Sequence, residues 1–175
     1  MDKYVNPIKF EVDWLTGVKI CIDDKYFVIL NVYMPYECTE NEAEYMENLG
    51  MISSILDVME TSSVFIVGDW NAIISSHDSV FATHMSNFCE EHDLSNSGKL
   101  MLSKDSFTYV SPSWNTTSWL DQCISSHDCH RAIDSIEILY DLSLGEDHIP
   151  ISVSTNIKCL SCLDINSKSE FQKMD

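Results

Sequence analysis

The chain has 175 residues, which suits one globular domain with a sizeable hydrophobic core. Hydrophobic residues make up 45% of it, and no run approaches the ~20 apolar residues that a membrane-spanning helix needs, so a membrane partner is not expected. Its 10 basic and 28 acidic residues give a net charge of −18, which excludes general electrostatic attraction as a source of affinity for nucleic acid.

The first elements along the chain are a predicted β-hairpin. The apolar runs 18–23 and 26–33 flank Asp24-Lys25, a two-residue turn signal. The second run is nearly all apolar, which predicts a strand buried on both faces. Pro35 must lie outside the sheet because proline cannot donate to a strand ladder.

A helix is predicted after this hairpin. Thr39 and Glu42 have the spacing of a capping box, which indicates the start of a helix at this point. Apolar residues at helical spacing predict its inward face: Tyr45, Leu49, Ile52, Leu56 and Met59.

The second half of the chain predicts a strand, a helix and then further strands. Val64–Val67 is a short apolar strand that Gly68 is expected to end, and the following helix should bury Phe81, Met85 and Phe88. Four more strands are predicted at 107–110, 119–124, 136–139 and 149–153. The pattern favours two β-sheets packed face to face with helices outside. We expect one domain over 1–156 and a polar, frayed tail over 157–175.

Polar side chains stand where several of these apolar strands end, a position at which a rigid sheet can hold catalytic groups. Asp69 and Asn71 are two residues apart, so in extended backbone they point to the same side. A carboxylate can bind a metal or orient a metal-activated water, and an amide can bond to a phosphoryl oxygen. Alone, Gly-Asp-x-Asn is equally typical of a turn.

Three other polar residues have a similar placement. Tyr33 ends a buried strand, and its phenol could donate to a phosphate oxygen, although a core tyrosine is the commoner outcome. Asp121 interrupts an apolar strand, so it needs a histidine, a metal or backbone N–H groups as a partner. His148 follows Asp147, and a histidine paired with a carboxylate suits a general base or a phosphate-binding imidazolium. The pair could also be surface residues that enter a strand.

Taken in order, the four motifs resemble those of the endonuclease/exonuclease/phosphatase superfamily. They are Tyr-x-Pro, Gly-Asp-x-Asn, Ser-x-x-Asp and Asp-His-x-Pro, at Tyr33, Gly68, Ser118 and Asp147. The run from Trp14 to Ser154 is similar to the endonuclease domains of non-LTR (LINE-type) retrotransposons. The resemblance implies an α+β fold, the four-layer α/β/β/α sandwich of DNase I type, and phosphodiester hydrolysis of DNA with Mg²⁺ or Mn²⁺.

The resemblance also implies roles for individual residues. Tyr33 and Asn71 would bind the scissile phosphate, with Asn71 stabilising the pentacoordinate state. Asp69 would align or deprotonate the attacking water. His148 would contact the phosphate, oriented by Asp121.

The remaining implied roles concern the metal and the substrate. Asp69 and Asp147 would lie at the metal. Thr108 and Ser118 would lie beside the substrate DNA.

This chain departs from the family pattern at its beginning. In the family, a strand ending in a metal-site Asn and one ending in a metal-binding Glu precede Tyr-x-Pro, whereas only 32 residues precede Tyr33. The expectation is that the N-terminal strands are missing, together with the principal metal carboxylate. Glu146, where the family commonly has Ser, and Trp119, where a basic residue is common, both weaken phosphate binding.

Two alternatives remain open. The chain could be a catalytically inactive remnant that acts at most as an interaction module, or its core could act on an inositol-phosphate or lipid phosphodiester. Seven scattered cysteines without an apolar signal sequence favour reduced thiols and an intracellular protein of the cytoplasm or nucleus.

Overall fold

The computed structural model describes residues 3–22, 25–59, 63–74, 76, 78–111, 113–142 and 147–156. The strands are β1 Lys3–Ile8, β2 Leu15–Ile22, β3 Lys25–Tyr33, β4 Val64–Asp69, β5 Leu94–Asn96, β6 Tyr109–Ser111, β7 Thr116–Ser118, β8 Asp121–Ser126, β9 Ile133–Ile138 and β10 Ile151–Thr155. The α-helices are α1 Glu42–Val58, α2 Val80–Glu91, α3 Ser97–Met101 and α4 His127–Arg131.

Six strands form the main sheet, in the order β1-β2-β3-β4-β8-β5. Within it, β3 and β4 are parallel, as a crossover through α1 requires, and the other neighbouring pairs are antiparallel. Two antiparallel pairs, β9–β10 and β6–β7, lie outside this sheet. The polar strand ends discussed above belong to β3, β4 and β8, which are neighbours.

Two apolar clusters fix the layers of the fold. On one face of the main sheet, Leu30 and Ile66 belong to a cluster that includes Tyr45 of α1 and Phe81 of α2. The opposite face carries a second cluster, which includes Phe27 and Phe65 of the sheet and Ile133 and Ile136 of β9. Along β3 and β4, successive side chains therefore face the helices and the smaller sheet in alternation, where the smaller sheet is the β9–β10 pair.

The face that meets the smaller sheet is only partly covered. A cavity of about 550 Å³ opens between the main sheet and β10. Most of its lining is apolar, from residues such as Phe27, Phe65 and Ile151, but Asp121 and His148 also border it.

The predicted hairpin and the inward faces of the helices are confirmed. β2 and β3 pair antiparallel from Leu15↔Val32 to Ile22↔Lys25. The residues predicted to face the core from the helices are buried or packed against it: Tyr45, Leu49, Ile52, Leu56, Met59, Phe81, Met85 and Phe88.

Two predictions about element ends are wrong. Gly68 does not end its strand, because β4 continues to Asp69 while keeping its register with β3 and β8. Thr39 does not cap a helix: it begins a 3-10 turn that ends at Asn41, and α1 begins at Glu42 without a side-chain cap. The backbone of the 3-10 turn thus occupies the place expected for the capping box.

In the described part of the chain, no helix has the length and hydropathy that a membrane span requires. The described cysteines are free thiols: Cys21, Cys38, Cys89, Cys123 and Cys129. The predicted tail, 157–175, lies outside the described residues.

Candidate active site

Three polar residues lie side by side across the main sheet because their strands are neighbours. Tyr33 is the register partner of Asp69 in the parallel β3–β4 pair. Asp69 is in turn the register partner of Asp121 in the antiparallel β4–β8 pair. The sheet therefore places two carboxylates and a phenol on adjacent strands, as the strand-end argument predicts.

The Tyr33 side chain is open to solvent rather than in the core. It is 66% exposed, although Val32 before it and Met34 after it are buried. The phenol could therefore reach a ligand above the sheet edge.

Gly68 allows β4 to approach β3 closely just before Asp69. Its φ is +124°, a region that side chains disfavour. A Cβ atom added there would lie 2.1 Å from the Val32 carbonyl oxygen. Backbone hydrogen bonds also join the Asp69 region to both neighbouring strands. The Met34 N–H donates to the Asp69 carbonyl after β3, and the Trp70 N–H donates to the Leu120 carbonyl before β8.

Asp69 and Asn71 form a closed local pair. The Asn71 backbone N–H donates to Asp69 Oδ1 at 3.0 Å, and Asn71 Nδ2 donates to Asp69 Oδ2 at 3.1 Å. Nδ2 also donates to the Met34 carbonyl at 2.8 Å. Since the amide has two N–H donors, both are engaged, and Asn71 must release one before it can donate to a phosphoryl oxygen.

His148 lies between the two carboxylates. Its Nδ1 is 2.9 Å from Asp121 Oδ2, and its Nε2 is 3.8 Å from Asp69 Oδ2. An ionised carboxylate only accepts, so Nδ1 carries the proton donated to Asp121. The Tyr109 ring meets the imidazole edge-on at 5.1 Å, and an isolated β-bridge pairs Tyr109 with His148. The predicted Asp121–His148 pair is thus present in the structure.

The environment of Asp69 favours its protonated form. Burial and, to a smaller extent, the charge of Asp121 raise the pKa of Asp69, whereas the N–H groups of Asn71 and the charge of His148 lower it. The net effect is a pKa of about 6. A carboxyl group that titrates near neutral pH is suited to accept a proton from water.

The surroundings of His148 favour the imidazolium. Burial lowers the pKa of His148, but the hydrogen bond and charge of Asp121, with the charges of Asp69 and Asp147, outweigh it, so the net shift is upward from 6.5. Asp69 and the raised-pKa imidazole of His148 therefore face each other, with Nε2 3.8 Å from Asp69 Oδ2.

This arrangement predicts the titration of His148. In the metal-free protein, the NMR titration of the imidazole Cε1–H should give a pKa above 6.5. Asp121→Asn should lower this pKa, because it removes the largest of the influences that raise it. At pH values below the unfolded-state pKa of His148, protonation of its imidazole stabilises the folded state. This stabilisation is lost as the pH rises through the folded-state pKa of His148. A downward shift in the wild type would contradict the assignment.

The structure places the remaining predicted residues in different surroundings. Thr108 is fully buried, so it does not face a substrate, in contrast to the prediction. Ser118 is partly buried in β7, and its carbonyl accepts the Thr108 N–H. Asp147 is exposed, and its carbonyl accepts the Val110 N–H. Glu146 lies outside the described residues.

The described residues do not fit a complete metal centre. Among them, no group of three or more His, Cys, Asp or Glu side chains is placed to hold an ion. Of the two predicted ligands, Asp69 already has both oxygens engaged by Asn71. Because Ca²⁺ and Mg²⁺ need several oxygen ligands, this set falls short of one that holds the ion without further donors.

Two residues near the site were not found from the sequence. Asn31 lies two residues before Tyr33 on β3 and borders the same cavity as Asp121 and His148. Its signal was a polar residue within an apolar strand. Tyr109 gave no signal, because its contact with His148 joins segments far apart in the chain.

Comparison with known proteins shows the fold. No sequence family and no curated protein matches the chain. Among solved structures, it is similar to the endonuclease domain of TRAS1, a telomere-specific non-LTR retrotransposon, with 15% identity and a TM-score of 0.67 over 87% of this chain and 69% of that one. It is also similar to the 3′ phosphatase NExo from Neisseria bound to product DNA hairpin, with 11% identity and a TM-score of 0.62 over 80% and 64%.

A third similar structure is the catalytic domain of Xenopus laevis APE2, with 16% identity and a TM-score of 0.62 over 81% of this chain and 54% of that one. The chain thus spans between 54% and 69% of the length of these structures. The predicted resemblance and fold class are confirmed at the level of the fold.

Proposed function

We propose that this chain, whose fold is that of the endonuclease/exonuclease/phosphatase proteins, binds a phosphodiester of DNA and hydrolyses it. The observation that carries the proposal is the position of His148, hydrogen-bonded to Asp121 at 2.9 Å and 3.8 Å from Asp69. In this proposal, Asp69 is the proton acceptor and His148 is the anion-binding imidazole, close to the ends of three neighbouring strands.

In the proposed reaction, the oxygen of a water forms a bond to phosphorus while the P–O bond to the leaving oxygen breaks. Asp69, with a pKa of about 6, is mostly ionised at pH 7 and accepts the proton of the water. His148 in its imidazolium form bonds to a phosphoryl oxygen and neutralises part of its charge. Asp121 fixes the ring so that Nε2 faces the phosphate.

Two further groups contact the phosphate in this proposal. The exposed Tyr33 phenol donates to one of its oxygens. Asn71 donates to another when one of its N–H groups leaves Asp69 or Met34. Each contact becomes stronger as negative charge accumulates on the phosphoryl oxygens, which is the condition for lowering the barrier.

We assign no step to a metal ion, because the described residues do not supply a full set of ligands. Mg²⁺ and Mn²⁺ remain the proposed cofactors, and Asp69 and Asp147 would be the carboxylates that help to hold such an ion. The experiment below tests whether hydrolysis depends on either ion.

The test is nicking of supercoiled plasmid DNA by the purified chain, with Mg²⁺, with Mn²⁺ and with a chelator. We expect nicking that falls at least about a hundred-fold in Asp69→Ala and in His148→Ala, since each removes a group that moves or holds a proton. Asp57→Ala, which changes an exposed carboxylate on α1, is the matched control and should keep wild-type nicking. If the wild type, the two site variants and the control variant nick DNA equally, Asp69 and His148 do not have the roles assigned to them.

A second candidate function is a catalytically inactive interaction module. It is favoured by the lack of a metal-ligand group among the described residues and by the net charge of −18, which repels DNA. If circular dichroism shows that the chain is folded and the chain nicks no DNA under any of the three conditions, the result would support the interaction module over hydrolysis.

A further inference from the structure

Thr108 connects the two segments that carry the Asp121–His148 pair. Its Oγ1 accepts hydrogen bonds from the backbone N–H of Leu120 at 3.1 Å and of Asp121 at 2.9 Å. Its carbonyl accepts the Ile149 N–H at 2.7 Å, and its own N–H donates to the Ser118 carbonyl at 3.0 Å. One buried residue therefore binds the backbone at Asp121 and next to His148.

These hydrogen bonds hold the backbone at Asp121 and next to His148. The Asp121 N–H is held by Thr108 at the first residue of β8, and the carboxylate of the same residue accepts from His148. The Ile149 N–H, one residue after His148, is held by the carbonyl of Thr108. A displacement of Thr108 would therefore change the distance between Asp121 and His148 from both sides.

The hydroxyl group is needed for this, and not only the shape of the side chain. Thr108 has no exposed surface, so its oxygen takes the place that water would otherwise fill as acceptor for two N–H groups. Valine has the same shape but no acceptor, and would leave both N–H groups without a partner in a buried site. The segment 120–121 would then be free to move to find other acceptors.

We propose that Thr108 is a positioning residue that holds Asp121 and His148 in hydrogen-bonding geometry through its hydroxyl group. It acts through Asp121 and does not touch the substrate. The consequence for hydrolysis rests on the proposed function, but the effect on the Asp121–His148 pair does not.

The experiment compares Thr108→Val, Thr108→Ser and the wild type by NMR. In Thr108→Val, hydrogen exchange at the Leu120 and Asp121 amides should become at least about ten-fold faster than in the wild type, because each amide loses its acceptor. This increase should exceed any change in exchange that results from a change in global stability. Thr108→Ser keeps the hydroxyl and should restore slow exchange. Thr117→Val, at an exposed threonine of the neighbouring β7, is the matched control and should leave both amides unchanged.

A second readout reports the functional pair itself. The ¹⁵N shifts of the neutral His148 ring, recorded above its titration range, should show the proton on Nδ1 in the wild type and in Thr108→Ser. In Thr108→Val, the ring should populate the tautomer with the proton on Nε2, since the Asp121 carboxylate is no longer held in place. A residue with a merely structural role would change stability without changing the tautomer.

The outcomes separate this proposal from the proposed function. Unchanged tautomer and amide exchange in a folded Thr108→Val protein would overturn the role of Thr108. If that variant fails to fold, the Thr108→Ser protein decides: loss of the Nδ1–H tautomer despite the retained hydroxyl would also overturn it. If the wild type does not nick DNA, the proposed function fails while the NMR result for Thr108 still stands.

Discussion

Gly68→Ala is expected to lower the free energy of unfolding by about 3 kcal/mol or more, enough to unfold much of a marginally stable domain. The added Cβ would lie 2.1 Å from the Val32 carbonyl oxygen and 2.9 Å from the Val32 N, and both are backbone atoms of a central strand that cannot turn aside. The φ of +124° adds strain for any side chain. Urea denaturation followed by circular dichroism measures the change.

Gly50→Ala is the matched control for this prediction. No atom lies within 4 Å of the place where its Cβ would stand, on α1. Alanine loses less conformational entropy than glycine in a helix, so this variant should be more stable by about 0.5–1 kcal/mol. Equal effects of the two substitutions would contradict the close approach of β3 and β4 at Gly68.

Gly68 also illustrates a feature of the fold that could not be predicted from the sequence. A glycine after an apolar run is read as the end of a strand, because local sequence reports conformational freedom and not the neighbour that requires it. The requirement comes from Val32, on a strand separated from Gly68 by the whole of α1. The apolar runs of β3 and β4 were predictable because burial on both faces depends only on the composition of each strand.

The same distinction holds for the candidate site. Asp69 was predictable because it is a charged residue at the end of an apolar strand, and Asp121 because a carboxylate within an apolar run needs a partner. The strand order then makes them neighbours. Thr108 was assigned to the substrate by the resemblance alone, because a threonine in a strand does not reveal whether its hydroxyl faces solvent or a backbone amide. Its two acceptor bonds come from residues twelve and thirteen positions further along, at a strand junction that only the folded chain defines.

If the chain hydrolyses DNA as proposed, Asp121→Asn is expected to reduce the rate by up to about 10⁴-fold, the loss that follows when a carboxylate-oriented histidine takes the wrong tautomer. Asparagine can donate its amide to Nδ1, and the ring proton then moves to Nε2. Nε2 lies 3.8 Å from Asp69 Oδ2, so the neutral ring could donate to the proposed base. The same substitution removes the charge that favours the imidazolium.

Single-turnover nicking at fixed DNA concentration measures this loss, and circular dichroism shows whether the variant is folded. Asp134→Asn, which changes an exposed aspartate on β9, is the control and should keep wild-type rates. Asparagine keeps a hydrogen bond to Nδ1 but loses the charge of the carboxylate, so the substitution should lower the free energy of unfolding by only about 1–3 kcal/mol. A folded Asp121→Asn protein that nicks DNA at the wild-type rate would show that Asp121 does not orient His148 for hydrolysis.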